Sequence, residues 1–283
     1  MALSERLRWC LTASAAVPVV ALGVLVLWAR LERDRFAYSL GAGNPEAREA
    51  RARELGYQLT SLGLGKEGAL QGVLRIPNAA QARWLLFFPA NAEEQLHGAL
   101  ETLEVLRAGR DMGVAAFTYR GFSGSGGAPS PQAAQTDARA QLALLKSRFG
   151  VTNDRLFLAG FSMGSGVALN LAAELAKKNA KPAGLILLSP YARLRLKRPD
   201  ALGWWLPGQR YETRDAARDY PGPTVVIAAG RDGALPPDKH ANPLVEKLQG
   251  KVTYELVEGS GHGDYLSNRA ALEPAIRFLE TSS

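Results

Sequence analysis

A short apolar run, Leu156–Ala159, leads into Gly160-Phe161-Ser162-Met163-Gly164-Ser165-Gly166, and good helix formers follow from Val167 to Lys178. This is strand, sharp turn, helix, with Gly-x-Ser-x-Gly at the turn. A turn this sharp holds its serine in a strained conformation, so the residues around it must be very small. Gly160, Gly164 and Gly166 supply that room. A helix starting directly behind the hydroxyl aims its unpaired N–H groups at whatever negative charge forms there. Few other features of the chain restrict its fold so tightly, and Ser162 becomes the candidate nucleophile.

Around this stretch, short apolar runs alternate with helical patterns. Tyr57–Leu62 and Ala69–Ile76 read as a hairpin around Gly63–Gly68. Further strands are expected at Trp84–Phe88, Val114–Tyr119, Leu185–Leu188, Thr224–Ala228 and Val252–Val257. Helices are expected near Glu93–Ala108, Gln132–Phe149, Lys239–Gln249 and Asn268–Thr281. Uninterrupted apolar strands are buried on both faces, which predicts an α/β fold with a mostly parallel central sheet flanked by helices.

In such sheets ligands sit beyond the carboxyl ends of the strands. Ser162 stands at one such end, Asp232 follows Thr224–Ala228, and His262 follows Val252–Val257. Serine is a weak nucleophile until a base takes its proton, imidazole titrates in the useful range, and a carboxylate fixes the ring. Asp264 and Glu258 are alternative acids. The other histidines, His97 and His240, fall on predicted helices and read as solvated surface residues.

The N-terminal region has a different character. Trp9–Ala29 carries no charged side chain, is long enough to span a bilayer, and has Trp9 and Trp28 at its ends. It is expected to be a transmembrane anchor behind a short tail, residues 1–8. A cleaved signal peptide is the rival, but Trp28-Ala29-Arg30 makes a poor cleavage site. Arg30, Arg33, Arg35 and Arg48 outnumber Arg6 and Arg8, which favours a cytoplasmic body; large translocated domains override that count. The side stays open, with a lean towards an extracytoplasmic domain. Residues 30–55 read as a charged, solvated helical linker, and residues 56–283 as the folded domain. The net charge of +7 and pI near 9.6 come from scattered basic residues without an aromatic-interleaved stripe, so nucleic acid is not an expected partner. One cysteine, Cys10, excludes an internal disulfide.

The Ser162, Asp232, His262 order is that of α/β-hydrolases. The chain resembles that superfamily from about Tyr57 onward, and is most similar to its membrane-anchored lysophospholipase-, monoacylglycerol-lipase- and depalmitoylase-like serine hydrolases. Tyr119-Arg120-Gly121-Phe122-Ser123-Gly124-Ser125-Gly126-Gly127 resembles the loop after the family's fourth strand. Gly230-Arg231-Asp232 with Leu235-Pro236 resembles its acid turn, and Gly261-His262-Gly263-Asp264 its histidine loop. The glycine spacing at Gly121–Gly127 fits neither a phosphate loop nor a dinucleotide fingerprint.

The resemblance implies an ester or thioester hydrolase acting through an acyl-enzyme on a lipid-like substrate, without metal or organic cofactor. An aminopeptidase-like amidase and a non-catalytic scaffold are the alternatives. Where the family usually has His-Gly-Asn after its third strand, this chain has Phe88-Pro89-Ala90-Asn91-Ala92. By position, the N–H groups of Asn91 and Met163 would form the oxyanion hole. The insertion at about 190–220 would form a cap. Trp204 and Trp205 would line an acyl site or cover the sheet, and the basic run Arg193–Arg198 reads as a solvated rim. Oligomeric state is not legible.

Overall fold

The computed structural model describes residues 44–91, 95–196 and 209–281, together with Val20, residues 23–25 and Tyr38. The chain divides into two compact units, Met1–Tyr38 with Leu196–Gln209, and Ser39–Arg195 with Arg210–Ser283. Nearly all of the first unit lies outside the described residues, including most of the expected Trp9–Ala29 anchor, as well as Trp204 and Trp205. Among the described residues no helix is long and apolar enough to cross a membrane.

The second unit is built on an eight-stranded sheet in the order β1-β2-β4-β3-β5-β6-β9-β10. Its strands are β1 (Gln58–Gly63), β2 (Ala69–Arg75), β3 (Trp84–Phe88), β4 (Gly113–Phe117), β5 (Leu156–Phe161), β6 (Gly184–Leu188), β9 (Thr224–Ala229) and β10 (Val252–Val257). The expected hairpin forms: β1 pairs antiparallel with β2, and β2 antiparallel with β4. The remaining neighbours are parallel. Every residue of β3, β4, β6 and β9 is buried, as continuous apolar runs require.

Helices cover both faces. On one, α2 (Gln95–Arg107) and α7 (Arg269–Thr281) set Leu100, Leu103, Leu272 and Ile276 against Leu85, Phe87, Phe157 and Ile227. On the other, α4 (Met163–Lys177) packs on β5 and β6 and against α3 (Pro131–Phe149). Local sequence sets these helix ends. The Ser130 hydroxyl caps α3 by accepting from the Ala133 N–H at 3.0 Å, Pro131 follows, and Gly150 ends the helix at φ 60°.

Two expectations need correction. The helix of the charged segment, α1 (Pro45–Glu54), is not a solvated spacer: Ala52 is fully buried in the core, and Arg51 pairs with Glu101 of α2 at 2.6 Å. Ala52 and the buried Arg48, together with the Arg51–Glu101 pair, dock this charged helix. The expected Lys239–Gln249 helix shrinks to α6 (Ala241–Val245), because Pro236 and Pro237 shape turns before it and Pro243 lacks an amide hydrogen. The segment expected to form a cap holds a two-stranded sheet, β7 (Arg193–Leu196) with β8 (Gln209–Glu212), followed by α5 (Arg214–Asp219). Within it Arg193 is solvent-facing and pairs with Glu212 at 2.8 Å.

Candidate active site

The turn after β5 is as tight as its glycines require. A Cβ on Gly160 would lie 2.1 Å from the Gly164 carbonyl oxygen, and one on Gly164 would lie 2.0 Å from that of Phe88. One on Gly166 would meet the Tyr191 hydroxyl at 1.8 Å. Ser162 itself takes φ 52°, ψ −118°, a conformation few side chains tolerate. Its N–H donates to the Leu188 carbonyl at 2.9 Å, and its own carbonyl accepts the Ser165 hydroxyl at 2.6 Å. The helix begins at Met163 rather than at Val167, so the Met163 N–H has no acceptor within the helix and lies next to the serine.

Three strand-end loops then meet. His262 Nε2 lies 2.9 Å from Ser162 Oγ, and His262 Nδ1 lies 2.6 Å from Asp232 Oδ2. The Asp232 side chain is 1% exposed, and its Oδ1 accepts the Ala234 and Leu235 N–H groups at 2.9 and 2.7 Å. Because the carboxylate only accepts, the imidazole proton belongs on Nδ1, which leaves Nε2 to accept from the serine hydroxyl. The Phe161 ring lies 5.0 Å from the imidazole, tilted by 36°. A hydroxyl, a base and a buried carboxylate in this chain can generate an alkoxide-like nucleophile without any metal.

Among the described residues the carboxylate bonded to His262 is Asp232. Asp264 braces the turn instead: its Oδ2 accepts the Gly261 N–H at 2.8 Å, and a Cβ on Gly261 would sit 2.6 Å from that oxygen. His97 lies on α2, away from these loops in sequence and partly exposed. His240 precedes α6 and is less solvated than expected. Its Nδ1 is enclosed without a hydrogen-bond partner, and burial holds its pKa below the ordinary histidine value. Among the described residues no group of three His, Cys, Asp or Glu side chains could hold a metal ion.

Asn91 stands in a bend three residues past β3, partly buried. The loop before it is tied down. The buried Tyr119 hydroxyl donates to the Pro89 carbonyl at 2.8 Å, and Gly164 brings the first turn of α4 against the Phe88 and Pro89 carbonyls. This packing keeps the strand-end backbone beside the turn despite the Pro89-Ala90 sequence. The glycine loop beyond β4 has a different role. Arg120 clasps the buried Asp137 of α3 at 2.8–3.0 Å and also pairs with Glu67. The Gln71 N–H donates to Ser125 Oγ at 2.8 Å, which fastens the loop to β2.

Two residues at the site escaped the reading of the sequence. Ser189, just past β6, donates its hydroxyl hydrogen to the His262 carbonyl at 2.9 Å, and Tyr265 lies 3.0 Å from it. The available signal was a polar residue at a buried strand end, where ligands collect in such sheets.

A family model described as serine aminopeptidase, S33, matches residues 105–213. An uncharacterized protein of Mycobacterium tuberculosis is 33% identical over 185 residues, covering 62% of this chain and 63% of that one. The lysophosphatidylserine lipase ABHD12 of Gallus gallus is 37% identical over 82 residues, covering 29% of this chain and 21% of that protein. The chain thus spans under two thirds of the length of these curated relatives. The crystal structure of an alpha-beta hydrolase from Vibrio vulnificus superposes with TM-score 0.63 at 20% identity, covering 86% of this chain and 88% of that one. With this sheet order, this strand–turn–helix and this structural likeness, the chain has the α/β-hydrolase fold.

Proposed function

We propose that this chain is a membrane-anchored serine hydrolase that cleaves a carboxylic ester or thioester through an acyl-enzyme on Ser162. The observation that carries the proposal is the hydrogen-bonded chain from Ser162 Oγ through His262 to Asp232, at 2.9 and 2.6 Å. In this reading His262 Nε2 takes the serine proton as Oγ attacks the carbonyl carbon. Asp232 holds the ring and stabilises the imidazolium, which then protonates the leaving oxygen or sulfur. The Met163 and Asn91 N–H groups bind the oxyanion, each worth a few kcal/mol of transition-state stabilisation. A water activated by the same imidazole releases the acid and restores the serine. The lipase name of the Gallus gallus relative supports a lipid-like ester as substrate, over 82 shared residues.

Amide cleavage is the second reading, favoured by the serine aminopeptidase description of the model matched at residues 105–213. A fluorophosphonate probe and paired p-nitrophenyl ester, thioester and amide substrates test both. Labelling that disappears in Ser162→Ala, with turnover lower by at least about 10³-fold, is the expected result. Equal labelling of wild type and Ser162→Ala would sink the proposal, and an amide turned over faster than its ester would select the second reading. The anchor rests on the uncharged run Trp9–Ala29. Deleting Met1–Ala29 should move the protein from the membrane pellet to the supernatant, and continued pelleting would count against it.

A further inference from the structure

Consecutive residues at the end of β6 hold both partners of the proton transfer. The Leu188 carbonyl accepts the Ser162 N–H at 2.9 Å, and Ser189 Oγ donates to the His262 carbonyl at 2.9 Å. The nucleophile and the base are therefore both referred to one strand terminus. Ser189 reaches this position only by adopting φ 40°, a conformation that costs a non-glycine residue on the order of 1–3 kcal/mol. Its N–H donates to the Ile227 carbonyl of β9 at 2.8 Å, which fixes the strained backbone.

Behind Ser189 stands Tyr265, three residues past His262 and 2% exposed. Its hydroxyl lies 3.0 Å from Ser189 Oγ and 3.2 Å from the Ile227 carbonyl oxygen, so that oxygen receives both members of the pair. The hydrogen count closes. Ser189 commits its single hydroxyl hydrogen to His262, and Tyr265 shares its own between Ser189 Oγ and Ile227. Burial pushes the Tyr265 phenol well above its ordinary pKa, so it stays a donor wherever the imidazole can act as a base.

We infer that Ser189, backed by Tyr265, is a positioning residue that sets the separation between His262 and Ser162. The inference rests on the serine-hydrolase reading and extends it to two side chains that touch no reacting atom. Fixing the His262 carbonyl fixes the backbone from which the imidazole hangs, and the ring must meet two partners at 2.6 and 2.9 Å at once. Misplacement by about 1 Å costs up to about 100-fold in rate.

The test compares Ser189→Ala, Tyr265→Phe and the double variant in the full chain, with active sites counted by a p-nitrophenyl ester burst. The rate per titrated site should fall by about 10- to 100-fold with KM within about twofold of wild type. The double variant should be no worse than the slower single one, since the two hydroxyls act as a unit. The low-field NMR line of the His262 Nδ1 proton should broaden in both single variants as the ring loosens. Wild-type rates per site with an unchanged line would overturn the inference, even if melting temperature or titratable sites fell, because that pattern marks hydroxyls that only fill space. A failure of the underlying reading would show separately, as Ser162→Ala retaining wild-type turnover and labelling.

Discussion

Two turns of this molecule share a glycine-rich composition and border neighbouring parts of the same sheet, yet most of their glycines answer different demands. Where β5 runs into α4, Gly160, Gly164 and Gly166 are required by space: a Cβ on any of them would lie within 2.1 Å of another atom. After β4, Gly121, Gly124 and Gly127 are required by backbone conformation, with φ of 78°, 81° and 76°, and Gly126 alone by space, since a Cβ there would meet the Glu67 carbonyl oxygen. Each loop also forces one serine to positive φ, Ser162 at 52° and Ser123 at 45°. Ser162 turns its hydroxyl to an imidazole, whereas Ser123 gives its carbonyl to Arg48 of α1 at 3.5 Å. Glycine content alone does not separate a reactive turn from a structural one. What stands behind the serine does.

The largest effect should come from Gly164→Ala. The new Cβ would meet the backbone oxygens of Phe88 and Pro89 at 2.0 and 2.5 Å, and neither can move without displacing β3. Backbone clashes of this kind belong to the exceptional class above about 4 kcal/mol. Little folded protein is expected, and any that forms should react poorly with fluorophosphonate because the backbone after β3, beside Ser162, is displaced. A well-folded, reactive Gly164→Ala enzyme would break the contrast between the loops.

Next in size is Arg120→Met, which attacks the second loop through its clasp. Both Asp137 oxygens are bound by Arg120, and the Asp137 side chain is 1% exposed. Removing the guanidinium strands a buried carboxylate, a loss of roughly 3–5 kcal/mol. Chemical denaturation should show that loss, while the rate per titrated active site stays near wild type. A large drop in that rate would mean that the loop after β4 shapes the active site as well as the fold.

The turn at Ser162 was legible because its requirement is local: Gly-x-Ser-x-Gly between a strand and a helix is written in consecutive residues. The strand set was legible for the same reason, since β3, β6 and β9 are unbroken apolar runs. Asp232 and His262 were readable from their places after strands, and Asp264 competed only because closeness in sequence to His262 looks like closeness in space. Its carboxylate turns back on Gly261 instead. Other features depended on distant partners. Ala52 on a charged helix does not advertise that it meets a core, and Tyr265 shows its use only once β6 and β9 bring Ser189 and Ile227 to it. The small β7–β8 sheet went unseen because its strands, Arg193–Leu196 and Gln209–Glu212, are too short and charged to alternate convincingly.

The smallest effect is also the sharpest test of the idea that conformation, not space, keeps glycine at position 124 of the second loop. At Gly124 a Cβ would find nothing within 4 Å, so Gly124→Ala meets no clash and leaves only the φ of 81° to oppose it. A left-handed backbone costs an alanine about 1–2 kcal/mol, which should lower Tm by roughly 2–8 °C in a domain of this size. Space and conformation therefore predict outcomes differing by several kcal/mol for the same one-carbon addition at Gly164 and Gly124. Activity per site should not change in Gly124→Ala, because among the described residues Ser162, Asp232 and His262 bond to one another and not to this turn. Calorimetry beside burst titration decides it: an unchanged Tm would show that the turn relaxes to another conformation without cost, and the φ argument for this loop would fail there.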